Sequence, residues 1–365
     1  MKSDEFGLLL NPVEIKLLKG LIYRLNSFDD AMDLVGSIKE LTSHVRDPSF
    51  LWTFVAINLA RSGRIKTAID ILLKTPLDSF GRALAAYLGK YNTLEPFGSP
   101  FEHARAFQIW EGTSFQRAQN KITIEAISSF FDDWCDYPKM PMVRILDLGT
   151  GDGVFITNLV NEISSRLKLE SVKLCLVDQS KEMLSIAREK IDTTTKIKTD
   201  IQCVQSDFIK PYLVRRLTKT NNGFDFAVIA ASLHHVPRAR KKNFIKTSLT
   251  SIPLLFVSEL EGNHDKPMSF SPELYYSVYR FYGELLASLE KARILIKEKE
   301  FCRDHFLFAE ALAILTGDIK TRGNYHTTID EWKSIILEAN CHNKLLTYRS
   351  VENSSLKTMA FAISS

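Results

Sequence analysis

The chain has 365 residues, 45% hydrophobic and 25% charged, with 47 Lys and Arg against 43 Asp and Glu for a formal net charge of +4. That length holds a large α/β domain plus a helical appendage, and the near balance of charge gives no argument for a nucleic-acid or membrane-surface partner. No run approaches the ~18 apolar residues of a membrane span, and the cysteines (Cys135, Cys175, Cys203, Cys302, Cys341) are odd in number, scattered and never in a C-x-x-C pair, which reads as reduced thiols with no zinc site and no metal.

The N-terminus, MKSDEFGLLLNPVEIKLL, lacks the apolar core of a secretory signal, so a cytoplasmic protein is expected. Residues 1 to about 95 are predicted helical: Leu9, Ile15, Leu18, Leu21 and Ile22 recur at helical spacing, as do Phe54, Ile57, Leu59 and Ala60. Asn11-Pro12 and Asp47-Pro48 pair a capping side chain with a proline in the first turn. The densest Pro/Gly cluster, Pro96-Phe97-Gly98-Ser99-Pro100, predicts a boundary, so residues 1–100 form an N-terminal helical region and 101–365 the remainder. Helix is predicted again across 106–134.

After Pro138 short apolar runs appear at Val143–Leu148, Val172–Val177, Ile201–Val204, Phe224–Ala230 and Leu254–Val257, with turns and helical stretches between them. This alternation predicts a parallel sheet wrapped by helices. Ser271 to about Leu315 is helical and rich in tyrosine and leucine, and Lys344–Arg349 with Thr358–Ile363 predicts a terminal hairpin.

The first predicted strand runs into Asp147-Leu148-Gly149-Thr150-Gly151-Asp152-Gly153. Glycines permit positive φ and remove Cβ atoms that would hold a ligand off the backbone. A dinucleotide fingerprint needs glycine at 154, where this chain has Val154. The carboxylate of Asp147 repels pyrophosphate and suits an ammonium, which points from NAD towards S-adenosyl-L-methionine. Asp178 closes the second strand, where a carboxylate can accept both ribose hydroxyls. Asp207 follows the third, where it can accept the adenine amino group while Phe208 packs on the ring. Taken singly, Asp178 and Asp207 read equally well as turn caps; three acids at three successive strand ends are harder to read that way.

Ile145–Gly153, Asp178, Asp207-Phe208 and FDFAVIAASLHHV (Phe224–Val236) resemble the consecutive motifs of class I S-adenosylmethionine-dependent methyltransferases, over about Val143 to Val257. SELEGNHDKPMSF (Ser258–Phe270), LYYSVYRFYGELLASLE (Leu274–Glu290) and RGNYHTTIDEWKSIILEAN (Arg322–Asn340) resemble the later blocks of the GRAS family, and RAQNKITIEAI (Arg117–Ile127) resembles its helix before the first strand; TMAFAIS is only loosely like the family's last strand. The resemblance implies a Rossmann-like, mostly parallel sheet with an antiparallel last strand, an N-terminal helical region, and a helical cap insertion at about 265–320. It implies S-adenosyl-L-methionine as cofactor and S-adenosyl-L-homocysteine as product, with Asp147, Gly149, Thr150, Gly151, Gly153, Asp178, Gln179, Met183, Asp207, Phe208, Ala231 and Asn120 as candidate contacts. Plant members of the family usually show a degraded glycine turn. This chain keeps it in full, which favours a bacterial-type, cofactor-binding member over a plant-type regulator.

Methyl transfer needs an acceptor held close to the methyl carbon and often a base. His234 and His235, after the fourth strand, are candidate bases; the competing reading has one capping the next helix and the other packed beneath the sheet. Alternation puts Glu259 and Glu261 on one face, and Asn263 and His264 continue the row. That cluster is the candidate for proton removal (Glu259, Glu261, His264) and acceptor binding (Asn263), since adjacent carboxylates raise one pKa; the competing reading is a solvated loop. Tyr276 and Tyr279 are candidate walls of the acceptor site, or core residues with a polar tip. Arg322 and His326 can reach an acidic acceptor, with a surface role as the alternative, and Gln116 and Asn120 can close over the methionine end. RARKKNFIK (Arg238–Lys246) reads as a solvated helix start, because it lacks interleaved aromatics. Two functions compete: a methyltransferase with a small-molecule acceptor under the cap, and a catalytically silent GRAS-like regulatory or protein-binding module that retains an adenosyl site. Methylation of nucleic acid is disfavoured by the balanced charge and by AASLHH standing where a base-methylating motif would be. The helical regions are a candidate homodimer surface.

Overall fold

The computed structural model describes residues 9–25, 31–98, 103–133, 141–210, 212–320 and 322–364; Ser99 and Pro100 of the expected boundary, Cys135 and Pro138 lie outside the described residues. The chain forms two units, Met1–Thr113 with Gly262–Asn324, and Ser114–Glu261 with Tyr325–Ser365. No helix among the described residues is long and apolar enough to cross a membrane.

The second unit holds a seven-stranded sheet: β1 (Met142–Leu148), β2 (Ser171–Asp178), β3 (Lys198–Gln205), β4 (Phe226–Ala230), β5 (Leu254–Leu260), β6 (His342–Ser350) and β7 (Lys357–Ser364). Their order is β3-β2-β1-β4-β5-β7-β6. β3, β2, β1, β4 and β5 run parallel, and β7 is antiparallel to β5. β1 and β5 are near-continuous apolar runs because helices cover both faces. On one face the helices Ser114–Asp133, Val154–Leu167 and Lys181–Thr194 bring Ile127, Phe131, Ile156, Val160 and Ile191 against Ile145 and Leu174. On the other, Leu213–Thr220, Arg238–Ser248 and Ile329–Glu338 bring Leu217, Ile245, Trp332 and Ile336 against Leu146, Ile229 and Val257. The antiparallel last strand and the helical N-terminal region are as the sequence predicts. β3 is longer than its apolar run, because it is an edge strand whose polar residues alternate outward and carry no hydrophobic signal.

In the first unit the sequence punctuation sets the helix starts. Asp47 caps the helix Pro48–Arg61 by accepting the Phe50 N–H at 3.0 Å, with Pro48 in its first turn. Ser271 does the same for Pro272–Lys291 through the Leu274 N–H. These two helices interlock through rings: Phe50 meets Tyr276 edge-on at 4.8 Å and Tyr279 at 5.1 Å, and Phe54 meets Tyr275 at 5.6 Å.

Candidate functional site

β1 and β4 are neighbours, but the chain leaves β1 towards β2 and returns to β4 from β3, so a switch point lies between them. Two loops leave the carboxyl ends of these strands there, Gly149–Gly153 and Ala231–His235, at the place where open α/β sheets take ligands. The Ser232 hydroxyl donates to the Gly149 carbonyl at 3.1 Å and ties one loop to the other.

Gly149, Gly151 and Gly153 all have positive φ, at 79°, 57° and 78°. The Gly149 and Thr150 N–H groups both donate to the Val177 carbonyl, and the Gly151 N–H donates to Asp178 Oδ2 at 2.9 Å. A Cβ on Gly149 would lie 2.4 Å from Ser232 Oγ, and one on Gly153 would lie 2.7 Å from the Ala187 Cα. Two of the three glycines therefore answer to the protein's own packing as well as to any ligand. Asp152 accepts the Val154 N–H at 3.1 Å and a Lys190 ammonium hydrogen at 2.7 Å, opening the next helix.

Asp147, near the end of β1, is buried at 3% exposure, and no basic side chain among the described residues forms an ion pair with it. Burial pushes its carboxyl up to about 7, the Thr150 hydroxyl opposing and the Asp178 charge adding to the rise. A ligand ammonium at this position would supply a charge that no basic side chain among the described residues brings to it. Asp178 is half-buried and accepts the Gly151 N–H on one oxygen and the Ser180 N–H, at 2.8 Å, on the other. Each oxygen keeps a lone pair for a diol. Asp207 accepts the Ile209 N–H at 3.0 Å and so caps its own turn. Phe208 packs edge-on against Phe244 within the core, at 7% exposure, rather than presenting an open face.

The remaining cofactor-side candidates are spread round this point. Thr150 is buried, with its hydroxyl 3.4 Å from the Asp147 carbonyl. Gln179 is exposed, and Met183 is buried with its N–H capped by Ser180 Oγ. Asn120 is buried on the helix Ser114–Asp133, accepting from Gln116 at 3.4 Å. Ala231 holds φ 49°, a left-handed conformation uncommon outside glycine, with its N–H on the Ser258 carbonyl at 2.8 Å.

Glu259 is the hub of the second loop. Its Oε1 accepts the Ser232 and His234 N–H groups at 3.1 and 3.0 Å, and its Oε2 lies 2.7 Å from His234 Nδ1. His326 stacks on His234 at 4.2 Å and 19°, with its Nδ1 3.1 Å from the Leu260 carbonyl, and the His235 ring lies 4.1 Å from that of His234. Glu261 has different partners, the Ile329 N–H at 3.0 Å and the Tyr348 hydroxyl. So the two glutamates, on one face by alternation, have separate donors.

Asn263 and His264 fall in the other unit, where the Asn263 N–H donates to Ser277 and His264 is buried against Phe281 and Tyr282. Arg322 is also buried in that unit, donating to the His264 and Pro267 carbonyls and to Ser269. Tyr276 and Tyr279 sit in its aromatic core, and the Tyr279 hydroxyl donates to Asp47 at 3.2 Å. The stack of His326 on His234 joins positions far apart in sequence, and no local pattern announces it. Ser232, whose hydroxyl ties the two loops together, carries no pattern in the sequence that marks it.

Residues 145–250 match the model of the methyltransferase-domain family. Among solved structures, SCL7 of Oryza sativa is similar at a TM-score of 0.60 and 10% identity, covering 84% of this chain and 98% of that one; the likeness bears on the fold. Magnesium protoporphyrin IX methyltransferase of Synechocystis PCC 6803 with bound S-adenosyl-L-homocysteine matches at a TM-score of 0.39 and 11% identity, over 69% of this chain and 85% of that one. No curated protein matches the chain.

Proposed function

We propose that the chain is an S-adenosyl-L-methionine-dependent methyltransferase acting on a small-molecule acceptor, of the bacterial GRAS type suggested by the resemblance of its later blocks. The observation that carries the reading is the meeting of Asp147, Asp178 and the glycine turn at the β1/β4 switch point, inside the stretch matched by the methyltransferase-domain model. The residues present fit the cofactor. A buried carboxylate without a basic partner awaits an ammonium, and a carboxylate with spare lone pairs stands one strand away. When bound, the cofactor supplies a methyl group on a sulfonium. The protein's share is to fix the amino-acid end at Asp147 and the nucleoside at Asp178, and to keep the turn rigid through the Val177 carbonyl.

Calorimetry with S-adenosyl-L-methionine and S-adenosyl-L-homocysteine tests the reading. Binding of at least one is expected at micromolar to low millimolar concentration. Asp147→Asn should weaken it by about 10- to 100-fold, the loss of one charge-assisted hydrogen bond of ~1.5–3 kcal/mol. A wild-type protein that takes up neither compound at millimolar concentration rules the proposal out.

One observation favours a second reading, a silent regulatory module. Gly149 and Gly153 are demanded by Ser232 and Ala187, so the turn persists without turnover. Binding without any methyl transfer across a broad acceptor panel would select it.

A further inference from the structure

We infer that His234 is the base that takes the acceptor's proton, that Glu259 is its positioning residue, and that the acceptor is a hydroxyl compound, probed here with phenols, rather than a carboxylate. This rests on the methyltransferase reading above. Two backbone N–H groups donate to Glu259 Oε1, and the His234 Nδ1 lies 2.7 Å from Oε2. A carboxylate surrounded by donors acts as acceptor only, so the proton of His234 sits on Nδ1 and the lone pair on Nε2. Nε2 has no hydrogen-bond partner among the described residues and is not sealed from solvent. His234 therefore keeps one nitrogen fixed by the protein and offers the other.

The loop that carries it is held on every side. Glu259 clamps the N–H groups at 232 and 234, the Tyr325 N–H donates to the His234 carbonyl at 2.6 Å, and Ala231 is kept left-handed. Strain of that kind persists where surrounding contacts over-determine it, commonly at functional sites. The Ser232–Gly149 bond sets this loop beside the glycine turn, so the ring lies two residues from the cofactor-side cradle. Within this unit the titratable groups facing the ring are Glu259 on β5, the neighbouring His235, and His326 stacked on its face.

The bound cofactor would supply the methyl group: the acceptor oxygen would bond to the methyl carbon as the sulfur–methyl bond breaks, its electron pair staying on the sulfur of the homocysteine product. The O–H proton passes to Nε2. The resulting imidazolium is paired with Glu259 and later gives the proton to water. A carboxylate acceptor is already anionic and has no use for such a base. The ligand atoms of His234, Glu259 and His326 also lie within 4.8 Å of one another, which raises a metal as the rival reading. A cation held by His234 Nδ1 would have to displace its contact with Oε2, which is made at 2.7 Å, and the metal arm of the test below covers a cation held by Nε2.

Two measurements test the proposal. Long-range proton–nitrogen NMR of the full-length protein without acceptor reads the tautomer: His234 is expected as Nδ1–H, with Nε2–H gaining population in Glu259→Gln. Release of S-adenosyl-L-homocysteine is then followed with a panel of phenols and with benzoates of matching outline. Phenol turnover is expected, falling about 10²- to 10⁴-fold in His234→Asn with cofactor affinity changed less than about twofold, and partly recovered in Glu259→Asp relative to Glu259→Gln. Melting curves confirm that each variant is folded. An Nε2–H tautomer in the wild type overturns the proposal. So does turnover of benzoates alone or of neither class, a His234→Asn variant of unchanged rate, or turnover that needs added zinc or manganese chloride and stops with EDTA. Loss of cofactor binding in the wild type would instead sink the earlier reading, while the tautomer result stands by itself.

Discussion

Asp147 has a carboxyl that titrates at about 7 in the folded chain, against ~3.9 in an unfolded one. Between those values the folded state holds a proton that the unfolded state has lost. Stability therefore falls as pH rises from about 4 to about 7 and levels off above, because the slope follows the difference in bound protons. Urea midpoints at pH 5 and pH 7.5 should show the fall, and Asp147→Asn should flatten it. An ammonium ligand prefers the ionised form, so cofactor affinity is expected to run the other way, increasing across the same window; calorimetry at pH 5.5 and pH 7.5 checks the sign. Asp147 and Asp178 were legible in sequence because each sits at a fixed distance from the end of an apolar strand. The work of Glu259 was not. Its partners are the Ser232 and His234 N–H groups and the His234 Nδ1, which sequence spacing does not connect to it. Arg322 shows the same limit, since carbonyl partners leave no trace in side-chain pattern.

Among the elements, β1 and β2 could be read to within a residue at each end, since burial on both faces leaves a largely apolar signature, whereas the apolar run of β5 stops at Val257 and the strand continues through Ser258 and Glu259 to Leu260. The edge strands β3 and β6 blur into polar flanks. The helices Val154–Leu167 and Ile329–Glu338 invite direct tests. Gly153→Ala forces a side chain against the Ala187 backbone at positive φ and should lower stability by about 1–3 kcal/mol. Trp332→Ala removes one of the largest fully buried side chains, which packs beside Phe361 of β7, and should cost about 3–5 kcal/mol by denaturant unfolding. Both losses are expected with the far-ultraviolet spectrum unchanged at low denaturant.

On the scale of the molecule, the class of fold followed from the order of apolar runs, but the grouping of the helices did not. Residues Gly262–Asn324 belong with the N-terminal helices in one unit, joined by aromatic contacts such as Phe50–Tyr276 between segments distant in sequence. Helical periodicity says that a face is apolar and is silent about which partner it meets. Each unit buries a cysteine whose thiol is pushed up to about 12 by loss of solvent, Cys302 in one and Cys175 in the other. Both should resist iodoacetamide at pH 8 in the native protein and react once urea opens it, as read by intact mass. The fit of Gly149 against Ser232 and of Gly153 against Ala187 has a bearing on descent. Those two positions are kept by folding itself, so a lineage that abandoned catalysis would go on inheriting them. On the proposed reading, the positions that would tell a working enzyme from a silent one are Asp147 and the ring of His234, whose loss would leave the scaffold standing.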